Sequence, residues 1–311
     1  MSRATAEYSL SDFLAPRYWP TWLGLGLLRL AVFLPFAWQR VLGRALGHLA
    51  YRLVPRRRHI VATNIRLCFP ELSADEQAAL VRENFASTGI SIFETAMSWW
   101  ASRRRLAPLC HIEGLEHLQG ALATGRGVLL LSAHMTGLEL GGRLLALRQP
   151  FQVVYKRAHN PLFECFMHRA RQRHFLDAID TYDTRRMISA LKQNRATWYA
   201  MDQDFGLKQY VFAPFMGVPA CTLTTTARLV RMSNAVVVPY FPHRQADGSY
   251  RVVIQPPLAD FPSGDELADA TRINALIEAA VRESPEQYFW AHRRFKTRPP
   301  GEPDLYARSA P

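Results

Sequence analysis

Cysteine is scarce in this sequence, and its spacing matches no common cysteine motif. Only four cysteines occur among 311 residues, with dozens of residues between neighbours and no C-x-x-C pair; they are Cys68, Cys110, Cys165 and Cys221. This spacing predicts neither a disulfide framework nor a zinc site. We interpret the thiols as small buried apolar groups of a protein in a reducing compartment.

Several familiar catalytic and nucleotide-binding motifs are also absent from the sequence. It contains no G-x-S-x-G, no H-E-x-x-H, no Walker A motif and no complete G-x-G-x-x-G. A serine acyl-enzyme, a zinc protease site and a phosphate-binding glycine loop are therefore not indicated. We expect no metal ion and no other cofactor.

Acidic residues are few, above all near the N-terminus. Lysine and arginine together number 38 against 26 acids, a net charge of +12, and hydrophobic residues make up 49% of the chain, which excludes disorder. Residues 1–66 contain ten arginines, no lysine and only two acids, Glu7 and Asp12, a net charge of +8. This balance predicts an anionic partner, which is a nucleic acid, an acidic membrane or an acidic protein.

The N-terminal segment has the features of a membrane anchor. Residues 19–38 are apolar except for Thr21 and Arg29, and about 20 such residues suffice to span a bilayer. An arginine at mid-helix opposes insertion by about 3 kcal/mol, so spanning and lying in the surface both remain open. Residues 39–58 interleave arginine with leucine, as in basic amphipathic helices that lie on anionic lipid. The alternative is a buried core helix followed by a solvated basic face.

The rest of the chain alternates strand and helix patterns. A capping box at Ser73–Glu76 predicts the start of a long helix. Apolar runs predict strands at 127–133, 151–155, 197–201, 235–241 and 251–255, and amphipathic patterns predict helices at 138–148, 161–174, 183–194, 222–232 and 268–284. The predicted fold is α/β, a mixed sheet flanked by helices, with an N-terminal membrane-associated helical segment. We divide the chain into a membrane anchor with its basic helix, 1–66, and a catalytic α/β domain, 67–311.

The most informative stretch for chemistry is SAHMTGLELGG, residues 132–142. His134 follows the end of a strongly apolar strand, where open α/β sheets bind their ligands. Glu139 follows five residues later in the first turn of the next helix, and the intervening turn allows its carboxylate to reach the imidazole. Such a pair activates a hydroxyl supplied by the substrate, because the carboxylate orients the ring while its other nitrogen takes the proton. Taken alone, an H-x4-E spacing is common, and a histidine at a strand end is as often structural.

Several motifs together resemble the late acyltransferases of lipid A biosynthesis, a lauroyltransferase-like family within the H-x4-D/E lysophospholipid acyltransferase superfamily. They are RRRHIVATNIRLCFPELS, SAHMTGLELGG, NPLFECFMHRARQRH, WYAMDQDFG, VFAPFMGVPACTLTTTARLV, AVVVPYFPHR and QYFWAHRRFKTRPPGEPDLY, and they cover nearly the whole chain. The resemblance implies a sheet like that of the glycerol-phosphate acyltransferases. It further implies that His134 and Glu139 form the catalytic pair and that Arg171 and Asp202 are functionally required.

The resemblance also implies the substrates and the location. The acyl donor would be a thioester of acyl carrier protein, the acceptor a hydroxyl of a lipid A precursor, and the membrane a bacterial inner membrane. By the positive-inside rule, the arginine cluster and everything after it would lie on the cytoplasmic face of that membrane. Anionic membrane lipids would then account for the basic charge, and no nucleic acid would be bound. Acyl chain length and oligomeric state do not follow from the sequence.

Arg171 and Asp202 also allow other interpretations. Arg171 lies in a run of arginines that a solvated helix face would explain, and near the catalytic pair it would instead bind a substrate phosphate or stabilise an oxyanion. Asp202 and Asp204 have the D-x-D form with which glycosyltransferases hold a metal and a sugar nucleotide. Around an acyltransferase site, Asp202 would organise the site and Asp204 the following turn.

Three other functions compete with lipid A acylation. The nearest is acyl transfer to a lysophospholipid or glycolipid, which would use the same chemistry. A glycosyltransferase would use the D-x-D motif and depend on a metal ion. A basic binding protein without enzymatic activity would explain the charge but not the arrangement around His134.

Overall fold

The structure is a computed structural model that describes residues 9–206 and 209–307. Residues 1–8, 207–208 and 308–311, which belong to the two proposed domains, lie outside it. The helices are α1 (Trp19–Ala31), α2 (Phe36–Leu53), α3 (Pro55–Cys68), α4 (Ala74–Trp100), α5 (Arg103–Leu106), α6 (Leu115–Ala123), α7 (Leu138–Ala146), α8 (Pro161–His174), α9 (Thr184–Lys192), α10 (Thr225–Ser233) and α11 (Glu266–Glu283). The strands are β1 (Cys110–Glu113), β2 (Val128–Ser132), β3 (Gln152–Tyr155), β4 (Asp177–Asp180), β5 (Ala196–Ala200), β6 (Tyr210–Phe215), β7 (Val218–Leu223), β8 (Val236–Arg244) and β9 (Tyr250–Ile254).

Seven strands form one mixed sheet in the order β1-β9-β8-β2-β5-β3-β4. Every neighbouring pair is parallel except β8 and β9, which are antiparallel. Strands β6 and β7 form a separate antiparallel hairpin. The central strands β2 and β5 are paired from Val128↔Ala196 to Ser132↔Ala200, so both end at the same edge of the sheet.

Both faces of the sheet are buried, as the continuous apolar strands predict. Side chains of a strand alternate between faces, and those of β2 do so here: Leu129 and Leu131 belong to one core cluster, Val128 and Leu130 to another. Because helices cover both faces, reacting groups reach substrate at the strand ends and not through the sheet.

The main elements of the predicted α/β domain are confirmed. The capping box at Ser73 begins α4, and all five predicted strands and five predicted helices are present with small shifts at their ends. The sequence patterns did not predict the edge strands β1 and β4, the hairpin of β6 and β7, or the helices α5 and α6. The hairpin moves one helix start, because residues 222–223 belong to β7 and α10 begins at Thr225.

The apolar run of residues 19–38 does not form one continuous helix. Helix α1 ends at Ala31, a turn follows, and α2 begins at Phe36 after Pro35, which lacks the backbone N–H that a continuous helix needs. Among residues 9–206 and 209–307, no helix is long and apolar enough to cross a membrane. The basic stretch is also split, because α2 ends before Pro55 and α3 continues to Cys68. The proposed domain boundary at 66/67 therefore lies inside α3.

Candidate active site

The candidate site lies at the ends of the two central strands. His134 follows the last residue of β2 by two positions, and Asp202 follows the last residue of β5 by two positions. Since Ser132 and Ala200 are paired in register, the same offset brings both side chains to one point of the sheet edge. The sheet thus places an imidazole beside a carboxylate that comes 68 residues later in the chain.

Asp202 holds both the ring and the backbone of His134. Its Oδ1 lies 2.6 Å from His134 Nδ1, and its Oδ2 accepts the backbone N–H of His134 at 2.8 Å. The side chain of Asp202 is 1% exposed and that of His134 is 27% exposed. Burial acts to raise the pKa of Asp202, but the contacts with His134 prevail and lower it to about 2. Asp202 is therefore ionised at neutral pH, and Nε2 is the ring nitrogen left for substrate.

The prediction that Glu139 contacts the ring of His134 is wrong. The carboxylate of Glu139 instead receives two hydrogen bonds from Arg171, from Nε at 3.1 Å and from Nη2 at 2.7 Å. The reason is positional, because Asp202 already occupies Nδ1 of the ring and α8 presents an arginine to the first turn of α7. The structure therefore brings all four expected residues to one region, but as two pairs, His134 with Asp202 and Glu139 with Arg171.

The Glu139–Arg171 pair is enclosed and charged. Both side chains are less than 15% exposed, and Trp99 Nε1 donates a further hydrogen bond to Glu139 at 3.3 Å. Burial opposes the charge on each residue, yet the pairing holds the pKa of Glu139 below its usual value and that of Arg171 above its usual value. The guanidinium also lies over the ring of Tyr155, 4.8 Å from its centre. Arg171 is thus fixed in place, and its Nη1 forms no hydrogen bond with the residues that the structure describes.

An apolar cavity of about 310 Å³ adjoins both pairs. His134, Glu139 and Arg171 lie in its wall. The apolar and aromatic part of the lining consists of Leu138, Gly142, Phe151, Val153, Val154, Tyr155, Met167, Phe175 and Trp198. A cavity with this lining suits a flexible hydrocarbon chain whose reacting end reaches the polar groups.

The C-terminal segment and α4 hold the loop that carries His134. Phe289 donates its backbone N–H to the carbonyl of His134 at 2.9 Å, and Thr136 donates its own to Gln287 at 2.6 Å. A buried ion pair lies behind this loop, in which Arg244 donates two hydrogen bonds to Glu94, at 2.6 and 2.7 Å. Arg244 also contacts the hydroxyl of Thr136 at 3.5 Å. These contacts fix the loop through residues that do not line the cavity.

The two aspartates of the D-x-D motif have separate partners. While Asp202 binds His134, the carboxylate of Asp204 accepts the backbone N–H of Thr297 at 2.8 Å and that of Gly206 at 2.9 Å. The expectation that Asp204 organises the following turn is confirmed. Among the described residues, no group of three or more histidine, cysteine, aspartate or glutamate side chains forms a potential metal site.

Trp99, Tyr155, Glu94 and Arg244 were not identified from the sequence as site residues. They lie on three different elements, and although Arg244 ends the motif AVVVPYFPHR, nothing in that motif distinguishes it as a site residue. The pairing of His134 with Asp202 did have a signal, because each follows a predicted apolar strand by a similar offset.

The comparisons with known proteins identify the family of this chain. The model of the bacterial lipid A biosynthesis acyltransferase family matches residues 9–297. The lipid A biosynthesis lauroyltransferase of Escherichia coli is 42% identical over 94% of this chain and 96% of that protein, and the palmitoleoyltransferase of the same organism is 41% identical over 95% and 97%. Among solved structures, the 1-acyl-sn-glycerophosphate acyltransferase of Thermotoga maritima aligns with a TM-score of 0.37 at 13% identity, over 79% of this chain and 97% of that chain. The chain is an acyltransferase and belongs to the bacterial lipid A biosynthesis acyltransferase family.

Proposed function

We propose that this enzyme transfers a fatty acyl chain from an acyl carrier protein thioester to a hydroxyl of a lipid A precursor. The observation that carries the proposal is the His134 imidazole, held by Asp202 in the wall of an apolar cavity. Membership of the lipid A acyltransferase family supports the acceptor. Because the names of relatives include lauroyl-, palmitoleoyl- and myristoyltransferases, an assay of the transfer also has to measure which acyl chain is transferred.

His134 acts as the general base. Because Nδ1 donates its hydrogen to Asp202, the neutral ring presents the lone pair of Nε2 to the acceptor hydroxyl. Nε2 takes the hydroxyl proton as the oxygen attacks the thioester carbonyl, and Asp202 stabilises the imidazolium that forms. When the tetrahedral intermediate collapses, the C–S bond breaks and His134 returns the proton to the leaving thiolate. The acyl group passes directly to the acceptor without bonding to the enzyme.

Arg171 stabilises the oxyanion in this mechanism. Its Nε and Nη2 are bound to Glu139, which leaves Nη1 as the donor toward the cavity that His134 also lines. A fixed cation in a site shielded from water favours the negative charge that develops on the carbonyl oxygen. Glu139 then acts on the reaction through Arg171, which it orients.

The acyl chain occupies the apolar cavity. Its wall is formed by α7, α8, β3 and β5, and the polar groups of the site lie in the same wall. A chain lying there places its thioester carbonyl near His134 and Arg171.

The N-terminal helices attach the enzyme to the cytoplasmic face of the inner membrane. Large apolar side chains along α1, α2 and the turn between them are exposed: Trp19, Leu23, Leu27, Leu30, Phe33, Trp38, Val41, Leu42, Leu46, Leu49 and Leu53. Arginines lie among them in sequence, including Arg29, Arg40, Arg44 and Arg52. An apolar face bordered by arginine is typical of helices that lie in the surface of an anionic bilayer.

A side-by-side transfer assay tests the proposal. Enzyme in detergent is incubated with a tetra-acylated lipid A precursor, a lysophospholipid and a mixture of acyl carrier protein thioesters. Mass spectrometry then measures the masses of the products. We expect one acyl increment on the lipid A precursor, and its mass gives the chain length. An increment on the lysophospholipid alone would overturn the assignment of the acceptor. In a parallel reaction with coenzyme A thioesters, equal transfer would overturn the assignment of the donor.

A further inference from the structure

Arg143 is a buried cation without an anionic partner. It lies on α7, is 9% exposed, and forms no hydrogen bond or ion pair with any residue that the structure describes. Its Nε is sealed from solvent and has no acceptor, whereas its terminal nitrogens are not among the sealed atoms. The stem of the side chain is thus enclosed by the protein, while its terminal nitrogens remain open to an anion.

The charged side chains that act on Arg143 and on its neighbour His174 are also cationic. Arg103 of α5 lies close enough to repel it, and burial together with this repulsion lowers the pKa of Arg143. Arg143 in turn acts on His174 at the end of α8, whose pKa is lowered mainly by burial and further by Arg143 and Arg173. No acid contributes to the electrostatics of either residue. The corner formed by α5, α7 and the end of α8 is therefore a concentration of uncompensated positive charge.

This corner adjoins the cavity of the active site. Gly142 and Phe175 line the cavity, and they are the chain neighbours of Arg143 and His174. Helix α7 and the residue that follows α8 lie close together here, because a Cβ placed on Gly142 would lie 3.7 Å from the ring of Phe175. Arg143 is also one helical turn after Glu139, which places it farther along α7 from the reacting groups.

The same corner adjoins the exposed apolar surface of the N-terminal helices. Arg105 of α5 donates hydrogen bonds to the carbonyls of Val32 and Leu34, in the turn between α1 and α2. Phe33, between them, is 69% exposed. An anion bound beside Arg143 would thus lie between an apolar surface on one side and the acyl cavity on the other.

We propose that Arg143, supported by Arg103, binds the phosphate group of a membrane lipid. Arginine presents two parallel donors that match phosphate oxygens, and the anion would compensate the charge of the whole corner. The adjoining apolar surface favours a phosphate carried by a lipid over one in solution. The identification of this lipid with the acyl acceptor rests on the proposed function, but the phosphate site itself does not.

Binding of dodecyl phosphate to the full-length enzyme in dodecyl maltoside tests the site without an acyl donor. We expect Arg143→Met to weaken binding by about 10- to 100-fold, the usual value of a lost charge-assisted hydrogen bond. Arg143→Lys should recover part of the affinity. The exposed Arg148, just beyond α7, provides the control, and Arg148→Met should bind as the wild type does.

Two results would overturn the proposal. One is unchanged binding in Arg143→Met. The other is inorganic phosphate binding as tightly as dodecyl phosphate, which would make this a site for free anions. If Arg143→Met does not fold, the variant Arg103→Met tests the proposal instead. The side chain of Arg103 is exposed, so this variant should fold. Its affinity for dodecyl phosphate should fall about threefold or more.

A kinetic experiment connects the site to the acceptor. With wild-type enzyme, kcat/KM should be higher for a phosphorylated acceptor than for the same acceptor after phosphatase treatment, and Arg143→Met should remove most of this difference. An undiminished difference in the variant would contradict the assignment to the acceptor. Absence of any acyl transfer by the wild type would count against the proposed function alone, because the binding assay does not depend on it.

Discussion

At the scale of single residues, the central observation is that His134 is oriented by Asp202. The carboxylate accepts hydrogen bonds from the ring and the backbone of His134, so it fixes both the orientation of the ring and the path of its loop. The H-x4-E spacing pointed to Glu139, because it is the nearest acid in the sequence. In the folded protein, however, the register between β2 and β5 brings Asp202 to the ring of His134, although Asp202 is farther away in the sequence.

Glu139→Gln should destabilise the enzyme by about 3 kcal/mol, because Arg171 would remain buried without its counter-charge. The double variant with Arg171→Met should be more stable than Glu139→Gln, since it removes the uncompensated cation. Thermal unfolding in detergent measures both effects. If Glu139→Gln were as stable as the wild type, the ion pair between Glu139 and Arg171 would not stabilise the fold.

Gly142→Leu should shift the donor preference toward shorter chains. A Cβ at this position would lie 3.7 Å from Phe175 and 3.9 Å from Phe151, so a larger side chain would occupy the cavity without displacing backbone. We expect the kcat/KM ratio for a donor two carbons shorter, relative to the wild-type optimum, to rise about tenfold or more.

Competition between acyl carrier protein thioesters, followed by mass spectrometry, measures this ratio. Gly120→Leu on α6 is the control, because its Cβ would meet no atom within 4 Å. A uniform loss of activity at Gly142→Leu, with the same optimum chain, would show that the cavity does not hold the chain.

At the scale of secondary-structure elements, α2 and α4 pack with their backbones in contact. A Cβ on Gly89 would lie 2.1 Å from the carbonyl oxygen of Gly43, and one on Gly47 would lie 2.1 Å from that of Phe85. Only glycine permits so close an approach. The basic helix is thereby joined to the helix that carries Trp99 of the active site.

Gly89→Ala should reduce stability by about 1–3 kcal/mol, because the two helices must separate. Gly120→Ala should instead stabilise the enzyme by about 0.5–1 kcal/mol, since it adds helix propensity at an open position. Comparing the melting temperatures of the two variants separates the effect of helix–helix packing from that of helix propensity. A stabilising effect of Gly89→Ala would contradict the close approach.

The elements that the sequence predicted are those with strong local signals. Strand β2 is a continuous apolar run, and α4 begins at a complete capping box. The edge strand β1 lacks such a signal, because its residues Cys110–Glu113 are only partly buried or exposed. The break between α1 and α2 was missed because the proline there was counted as part of an apolar run, although it ends the hydrogen-bond pattern of the helix.

At the scale of the whole molecule, the proposed membrane attachment makes the exposed apolar surface of α1 and α2 the place where the enzyme meets its lipid substrate. This surface adjoins α5 through Arg105, and α5 adjoins the corner of Arg143 beside the cavity. A lipid acceptor would therefore reach His134 from the bilayer surface, with its head group passing the cationic corner.

The double variant Leu27→Asp/Leu30→Asp should bind anionic vesicles at least about tenfold more weakly, because two exposed leucines of α1 no longer enter the bilayer. Flotation with phosphatidylglycerol vesicles measures the bound fraction, which should also fall as salt rises. Leu267→Asp, at an exposed leucine on α11, is the control. Equal loss in both variants would place the membrane surface elsewhere.

Acyl transfer by wild type, His134→Ala and Asp202→Asn, followed by mass spectrometry on a tetra-acylated lipid A precursor, tests the central claim most directly. We predict a single acyl increment with the wild type, none with His134→Ala, and a kcat about 10³- to 10⁴-fold lower with Asp202→Asn, because the ring loses its orientation and the imidazolium its counter-charge. Normal turnover by either variant would contradict the mechanism in which Asp202 orients His134 as the general base.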